Sequence, residues 1–205
     1  SQIDRLIRKS DERSATYFPG TMWAQPMNQP IELSVVIPVF NSEHCLLELA
    51  RQLHDVLHSL GYEIIFVDDN SHDGSWDTLV ELVNDYPAFK AISLRKNCGQ
   101  DCAIMAGLRL AKGEMIVIMD DDLQHSPQDI VILYEHCQKK EADVCFGKFV
   151  KKRQAWWKNI GSWLNGKLAE IVICKPKEIY LSPFKIMKME IVEEIIKYRG
   201  SYAYI

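Results

Sequence analysis

The sequence predicts an α/β domain in which a mostly parallel sheet is covered by helices on both faces. Three observations carry that expectation. Short apolar runs alternate with longer amphipathic ones, the apolar runs are nearly continuous, and each is closed by turn or cap residues. Continuous apolar strands are those buried on both faces, and helical stretches between them supply the crossovers that parallel strands need. With 205 residues, 47% of them apolar, the chain can bury a core of ordinary domain size.

The elements follow in order. Residues 1–32 are mixed and polar, with Pro19, Gly20, Pro26 and Pro30 toward their end, and read as a tail or linker despite Ile3, Leu6 and Ile7. From Leu33 the texture changes, and Leu33–Val39 reads as the first strand. Glu43–Leu60 places Leu46, Leu49, Leu53, Val56 and Leu60 on one stripe before Gly61, a helix with its stop. Glu63–Val67 is the second strand, and a helix from Ser75 to Asn84 ends ahead of Pro87. Lys90–Leu94 is the third strand. The helix after it, Gly99–Ala111, carries Ala103, Gly107 and Ala111 at four-residue spacing, a small-residue face that lets it lie close on a sheet. Met115–Met119 is the fourth strand. Ser126 then offers an N-cap and Pro127 a first helical residue, and Ala142–Phe146 closes the series as a fifth strand. Residues 33–147 therefore form the core, and 148–205 a separate segment.

Composition narrows the function. The formal charge is −4, so no global basic field draws nucleic acid. The six cysteines show no paired metal-ligand spacing and read as reduced thiols of a cytosolic setting. No run reaches the ~18 to 20 apolar residues of a membrane span, and no secretory signal opens the chain. Its end soon after a helix-like stretch reads as a piece of something longer. Neither a GxGxxG turn nor a Walker lysine loop occurs, which argues against dinucleotide and P-loop sites.

In open α/β sheets ligands bind beyond the carboxyl ends of the strands, and acid gathers there in this chain. The second strand ends in Asp68-Asp69-Asn70-Ser71, and the fourth in Asp120-Asp121-Asp122. Such an arrangement is costly without cations or donors to satisfy it. Asp120 and Asp122, two apart where a strand enters a turn, can aim both carboxylates at one hard cation, with Gln124 adding a neutral oxygen. Mg²⁺ and Mn²⁺ take such ligands and leave positions open for phosphates. The alternative is a solvated acidic turn, and for Asp68 or Asp73 a turn or helix cap.

At these residues the chain resembles the family 2 glycosyltransferases of the GT-A (Rossmann-like) fold. Within them it is similar to the subgroup that moves a sugar from a nucleotide donor to a polyprenyl phosphate, as dolichol-phosphate mannose synthases do. The matching segments are SVVIPVFN (34–41), VDDNSHDGS (67–75), LRKNCGQDCAIMAGLRLAKGE (94–114) and MDDDLQHSP (119–127), in family order. The resemblance implies that Phe40, with Pro38 and Val39, packs against the nucleobase and that Asp69 accepts a hydrogen bond from it. It implies that Asn97 and Gly99 line the donor pocket and that Asp120 or Asp121 lies near the ribose and diphosphate. Asp122, with Asp120 and Gln124, would hold a Mg²⁺ or Mn²⁺ ion bridging the diphosphate. Two departures stand out. The subgroup usually has Glu directly after the Asn of the first motif, where this chain has Ser42; Glu43, one later, is left for that nucleotide contact. The middle of the usual Asp-Ala-Asp is here Asp121.

The last segment matches less. Lys148, Lys151, Lys152 and Arg153 form a basic cluster, either a solvated loop or a phosphate clamp. Arg153 best matches the arginine that holds donor and acceptor phosphates in the subgroup, a task suited to a guanidinium fork. Trp156, Trp157, Ile160, Trp163, Leu164, Leu168 and Ile171 recur at helical spacing, either a core stripe or a helix lying in a membrane interface. Ser182–Lys188 resembles the family segment that follows the acceptor site, with Tyr180 where an Asp is often found. The expectation is thus a metal-dependent inverting glycosyltransferase using a UDP- or GDP-sugar and a lipid phosphate at the cytoplasmic membrane face, with a homo-oligomer left open. Its rivals are a family 2 enzyme acting on a sugar hydroxyl with Glu170 or Glu178 as base, a phospho-accepting signalling domain, and a non-catalytic nucleotide-sugar binder.

Overall fold

The structure, a computed structural model, describes residues 30–147 and 183–197. Six strands form one sheet: β1 (Leu33–Val39), β2 (Tyr62–Asp68), β3 (Phe89–Ser93), β4 (Met115–Ile118), β5 (Val144–Phe146) and β6 (Lys185–Lys188). The helices among the described residues are α1 (Glu43–Leu57), α2 (Ser75–Asp85), α3 (Gln100–Leu108), α4 (Pro127–Lys139) and α5 (Met189–Ile196). The sheet order is β3-β2-β1-β4-β6-β5. β1 pairs in parallel with β2 and β4, and β2 with β3, whereas β6 runs against both β4 and β5. The chain therefore steps outward from β1 to β3 and returns to the other side of β1 for β4. That reversal opens a crevice at the carboxyl ends of β1 and β4, where sheets of this kind bind ligands.

Strand alternation divides the core in two. Val35, Ile37 and Val39 of β1 and Ile64 and Phe66 of β2 point toward α1, α2 and α4, packing on Leu46, Leu49, Leu53, Leu79 and Leu133. Val36, Ile65, Val67, Ile116 and Ile118 point the other way, toward α3 and Val192 of α5. Helices cover both faces, as expected, and every residue of β1 and β2 is buried. Each fully buried side chain of this kind stabilises the fold by roughly 1.5 to 3 kcal/mol. The close approach of α3 rests on Gly107, since a Cβ there would lie 2.4 Å from a methyl of Val36.

Some boundaries differ from the sequence expectation. α1 stops at Leu57 because the Leu60 amide bonds the Leu57 carbonyl and tightens the chain into the turn before Gly61. α3 likewise closes at Leu108, with Leu110 bonding back to Gly107. The larger difference is β6. Its four residues alternate too briefly to read as a strand, yet they pair with Met115–Ile118 and separate β4 from β5. The sheet is thus completed from beyond residue 147. The tail 1–29, the basic cluster Lys148–Arg153, the tryptophan-rich stretch, and Glu170 and Glu178 lie outside the described residues.

Candidate active site

Three strand ends build the site, and each leaves the sheet through a left-handed residue: Asn41 after β1 (φ 53°), Asn70 after β2 (φ 59°) and Leu123 after β4 (φ 58°). Asn tolerates this conformation because its short polar side chain bonds locally; Leu does not, so Leu123 stores strain directly behind the Asp triplet. The turns are laced together by their polar side chains. The Asn41 amide donates to Ser71 Oγ at 3.0 Å and the His72 amide to Asn41 Oδ1 at 2.8 Å. The Ser42 amide donates to Ser75 Oγ at 2.9 Å. This lattice holds Phe40 out at the crevice mouth, 45% exposed, with the ring of His72 against it edge-on.

A cleft of about 400 Å³ opens there, lined by Pro38, Val39, Phe40, Asp69, Asn97, Gly99, Gln100, Asp120, Asp121 and Asp122. Nine of these ten are residues that the sequence put in the site. Glu43 is not among them. It opens α1 and its carboxylate accepts from the Gly74 amide at 3.0 Å, while its own amide donates to Asp73 Oδ2. Asp73 also accepts from Ser75 and so anchors the start of α2, the cap role left open above. Asp68 is likewise structural, taking bonds from the Ser71 amide and the Ser93 hydroxyl. Gln124 is exposed just outside the lining residues, its amide bonded to Asp122 Oδ1.

Asp69 does more than border the cleft. Its carboxylate accepts from the backbone amides of Cys98 at 2.7 Å and Gly99 at 2.8 Å, which pins the loop carrying Asn97 over the site. Burial pushes its carboxyl up and those two amides pull it back. Gly99 sits at φ 88°, ψ 160°, a region open essentially only to glycine, and this places Gln100 at the start of α3. The Gln100 side chain then donates to Asp120 Oδ1 at 2.6 Å. Sequence reasoning overlooked Gln100. The signal was present, since the first residue of a helix that follows a strand end shares the edge on which the strand-end acids stand.

The triplet is short of partners. Burial, then Asp122 and Asp121, push the Asp120 carboxyl up, opposed by Gln100. Burial also raises Asp121, opposed by the Ser42 hydroxyl and the Phe40 backbone. Even so, Asp121 Oδ2 is buried with no hydrogen-bond partner among the described residues. Behind the turn, the buried His125 ring stacks on Phe184 (centroids 4.4 Å, planes 28° apart), which ties the triplet to the segment entering β6. The five described cysteines are unbridged, as read from the sequence.

No three His, Cys, Asp or Glu side chains among the described residues gather into a metal cage. The donor set suits the other kind of site, in which one or two carboxylates hold Mg²⁺ or Mn²⁺ and substrate phosphates complete the shell. Raised, under-bonded carboxylates at an open cleft are the chemistry such an ion meets. Among the described residues, no helix is long and apolar enough to cross a membrane.

Residues 34–196 match the family described as "Glycosyl transferase family 2". A dolichol-phosphate mannosyltransferase of Pyrococcus furiosus is 34% identical over 172 residues, covering 80% of this chain and 48% of that protein. An undecaprenyl-phosphate 4-deoxy-4-formamido-L-arabinose transferase of Aeromonas hydrophila is 35% identical over 169 residues, covering 78% and 49%. The chain spans about half the length of these relatives. Among solved structures, glucosyl-3-phosphoglycerate synthase of Mycobacterium tuberculosis, in complex with Mn²⁺, UDP and glucosyl-3-phosphoglycerate, matches with a TM-score of 0.54 at 17% identity, over 78% of this chain and 57% of that one. At that identity the likeness is one of fold, the GT-A fold expected from the motifs.

Proposed function

The chain belongs to glycosyl transferase family 2, and from that premise we propose that it moves a sugar from a UDP- or GDP-sugar to a polyprenyl phosphate at the cytoplasmic face of the membrane, with inversion at the anomeric carbon. The observation that carries the reading is the cleft that gathers Phe40, Asp69, Asn97, Gly99 and the Asp triplet at the switch point of the sheet. The names of the two polyprenyl-phosphate relatives support the acceptor class.

In this reading Phe40, with Pro38 and Val39, takes the nucleobase, and the loop pinned by Asp69 closes over the donor. Asp122 and Asp120 would hold Mg²⁺ or Mn²⁺, with Gln124 as the neutral oxygen beside them. Such an ion, when bound, supplies charge neutralisation for the departing nucleoside diphosphate. Asp121 sits beneath, toward the ribose and diphosphate. Arg153, from the basic cluster, would bring donor and acceptor phosphates together. The acceptor phosphate is already an anion near neutral pH and needs no base. Its oxygen attacks the anomeric carbon opposite the leaving diphosphate, so positioning and charge stabilisation supply most of the acceleration.

Calorimetric titration of UDP and GDP, each with and without Mn²⁺, tests the donor half. One nucleotide is expected to bind more tightly with metal, and Asp122→Ala is expected to remove the metal's contribution. Equal binding in that variant would sink the assigned ligand role. Transfer of label to a short-chain polyprenyl phosphate, but not to a free sugar, tests the acceptor half.

A further inference from the structure

Both carboxylates assigned above to a cation already have one oxygen engaged. Asp122 Oδ1 accepts from the Gln124 backbone amide at 3.0 Å, and Asp120 Oδ1 accepts from the Gln100 side-chain amide at 2.6 Å. The first bond belongs to the turn itself. The second crosses from the start of α3 to the end of β4, between residues 20 apart in the chain. Both of its anchors are fixed. β4 is buried along its whole length. The loop into α3 is held by the bonds from the Cys98 and Gly99 amides to Asp69, and the helix itself by the close approach of Gly107 to Val36. Gln100 is exposed and lines the cleft, so its side chain fills no part of the core. An exposed hydrogen bond adds little to stability, but one that spans two rigid elements fixes the direction of its acceptor.

That direction bears on the choice of ion. Ca²⁺ takes a large, flexible shell and readily uses both oxygens of a carboxylate. Mg²⁺ demands near-ideal octahedral geometry and is bound through one or two carboxylates, with substrate phosphates and water completing the shell. Mn²⁺ shares the octahedral oxygen shell. With Oδ1 of each carboxylate taken, Asp120 and Asp122 present single oxygens, which is the ligand set of the smaller ions. The Gln100 amide is also neutral. A lysine in its place would compete with the cation, and a carboxylate would add to the repulsion among the acids.

We propose that Gln100 is a positioning residue of this site, which holds Asp120 as a one-oxygen ligand and thereby sets a preference for Mg²⁺ or Mn²⁺ over Ca²⁺. The inference rests on the nucleotide-sugar reading and its bound ion. In this role Gln100 touches neither the ion nor the nucleotide and acts through Asp120, as partners that orient a metal ligand do.

The test compares wild type with Gln100→Met, which keeps the length of the side chain and removes its amide, after thermal melts show each folded. Gln100→Leu replaces it if that variant does not melt cooperatively. UDP and GDP are titrated by calorimetry without metal and at graded concentrations of Mn²⁺ and of Ca²⁺, which gives the affinity of each ion in the nucleotide complex. Gln100→Met is expected to weaken Mn²⁺ by about tenfold to a hundredfold and Ca²⁺ by less, with metal-free nucleotide binding unchanged. In an Asp120→Ala background the same substitution is expected to move neither ion, because the residue it acts through is gone. Equal weakening of the two ions, no change in either, or a further loss in the Asp120→Ala background would each overturn the role of Gln100. So would a fall in metal-free nucleotide binding as large as the fall for Mn²⁺, or a wild type whose nucleotide binding ignores both ions. All of these leave nucleotide binding by the cleft intact. A wild type that binds neither UDP nor GDP, with metal or without, would remove the nucleotide-sugar reading and this inference with it.

Discussion

The two ends of the sheet each gather acid, and they treat it differently. At the amino end, Glu63 of β2 is 2% exposed and saturated. It is ion-paired with Lys90, accepts from Ser34 Oγ at 2.6 Å, and accepts from the Lys112 amide at 2.6 Å. At the carboxyl end, Asp120 is met by the Gln100 side chain and Asp121 by the Ser42 hydroxyl, and Asp121 still keeps an orphan oxygen. A buried charge with every lone pair occupied is architecture, whereas charges left short of partners at an open cleft are a site awaiting a ligand. The same residue chemistry thus stabilises one end of the sheet and destabilises the other.

The sharpest way to break this contrast is at the saturated end. Glu63→Ala leaves Lys90 unpaired and is expected to cost about 3 to 5 kcal/mol in chemical denaturation, while the folded variant binds nucleotide as before. A variant as stable as wild type would make the Glu63 network ornamental. At the other end Asp122 is exposed, so Asp122→Ala should keep its melting temperature while sugar transfer falls about 10²- to 10³-fold. A parallel loss of stability and activity would blur the distinction between the two ends.

Smaller effects sharpen it. Gly99→Ala meets no steric neighbour within 4 Å, so its cost comes from the backbone alone, about 1 to 3 kcal/mol, read as weaker donor affinity with a modest fall in melting temperature. Asp121→Asn should raise the melting temperature at neutral pH by about 2 to 4 °C, the shift that about 1 kcal/mol gives in a domain of this size. The sign follows from burial, which lifts the folded carboxyl above its unfolded value of 3.8. Above the raised value the charge is carried in both states and penalises the fold. As pH falls toward 3.8 the folded carboxyl takes its proton first, and the penalty fades. The advantage of Asp121→Asn should therefore shrink in melts taken from pH 7 toward pH 4.

The order of strands and helices from β1 to β5 was determined by the sequence itself, because local periodicity and caps report it directly. Val35 to Val39, the Leu46–Leu49–Leu53 stripe and Ser126-Pro127 each carry their own signal. The cleft was legible for a related reason: in a parallel sheet every strand end lands on one edge, so acids at the ends of β2 and β4 must meet. What the tertiary structure alone decided depends on partners distant in the chain. Glu43 and Ser42 differ by one residue, and only the packing of α1 against the β2–α2 turn sends the Glu43 carboxylate to Gly74 and away from the cleft. Gln100 reads as a helix start until Asp120, 20 residues on, comes to its amide. Lys185 lies in four residues too short to announce a strand, and only antiparallel pairing sets it beside β4. Periodicity is local and survives in the sequence, whereas register between remote segments is fixed by the burial of a shared face, which no single segment contains.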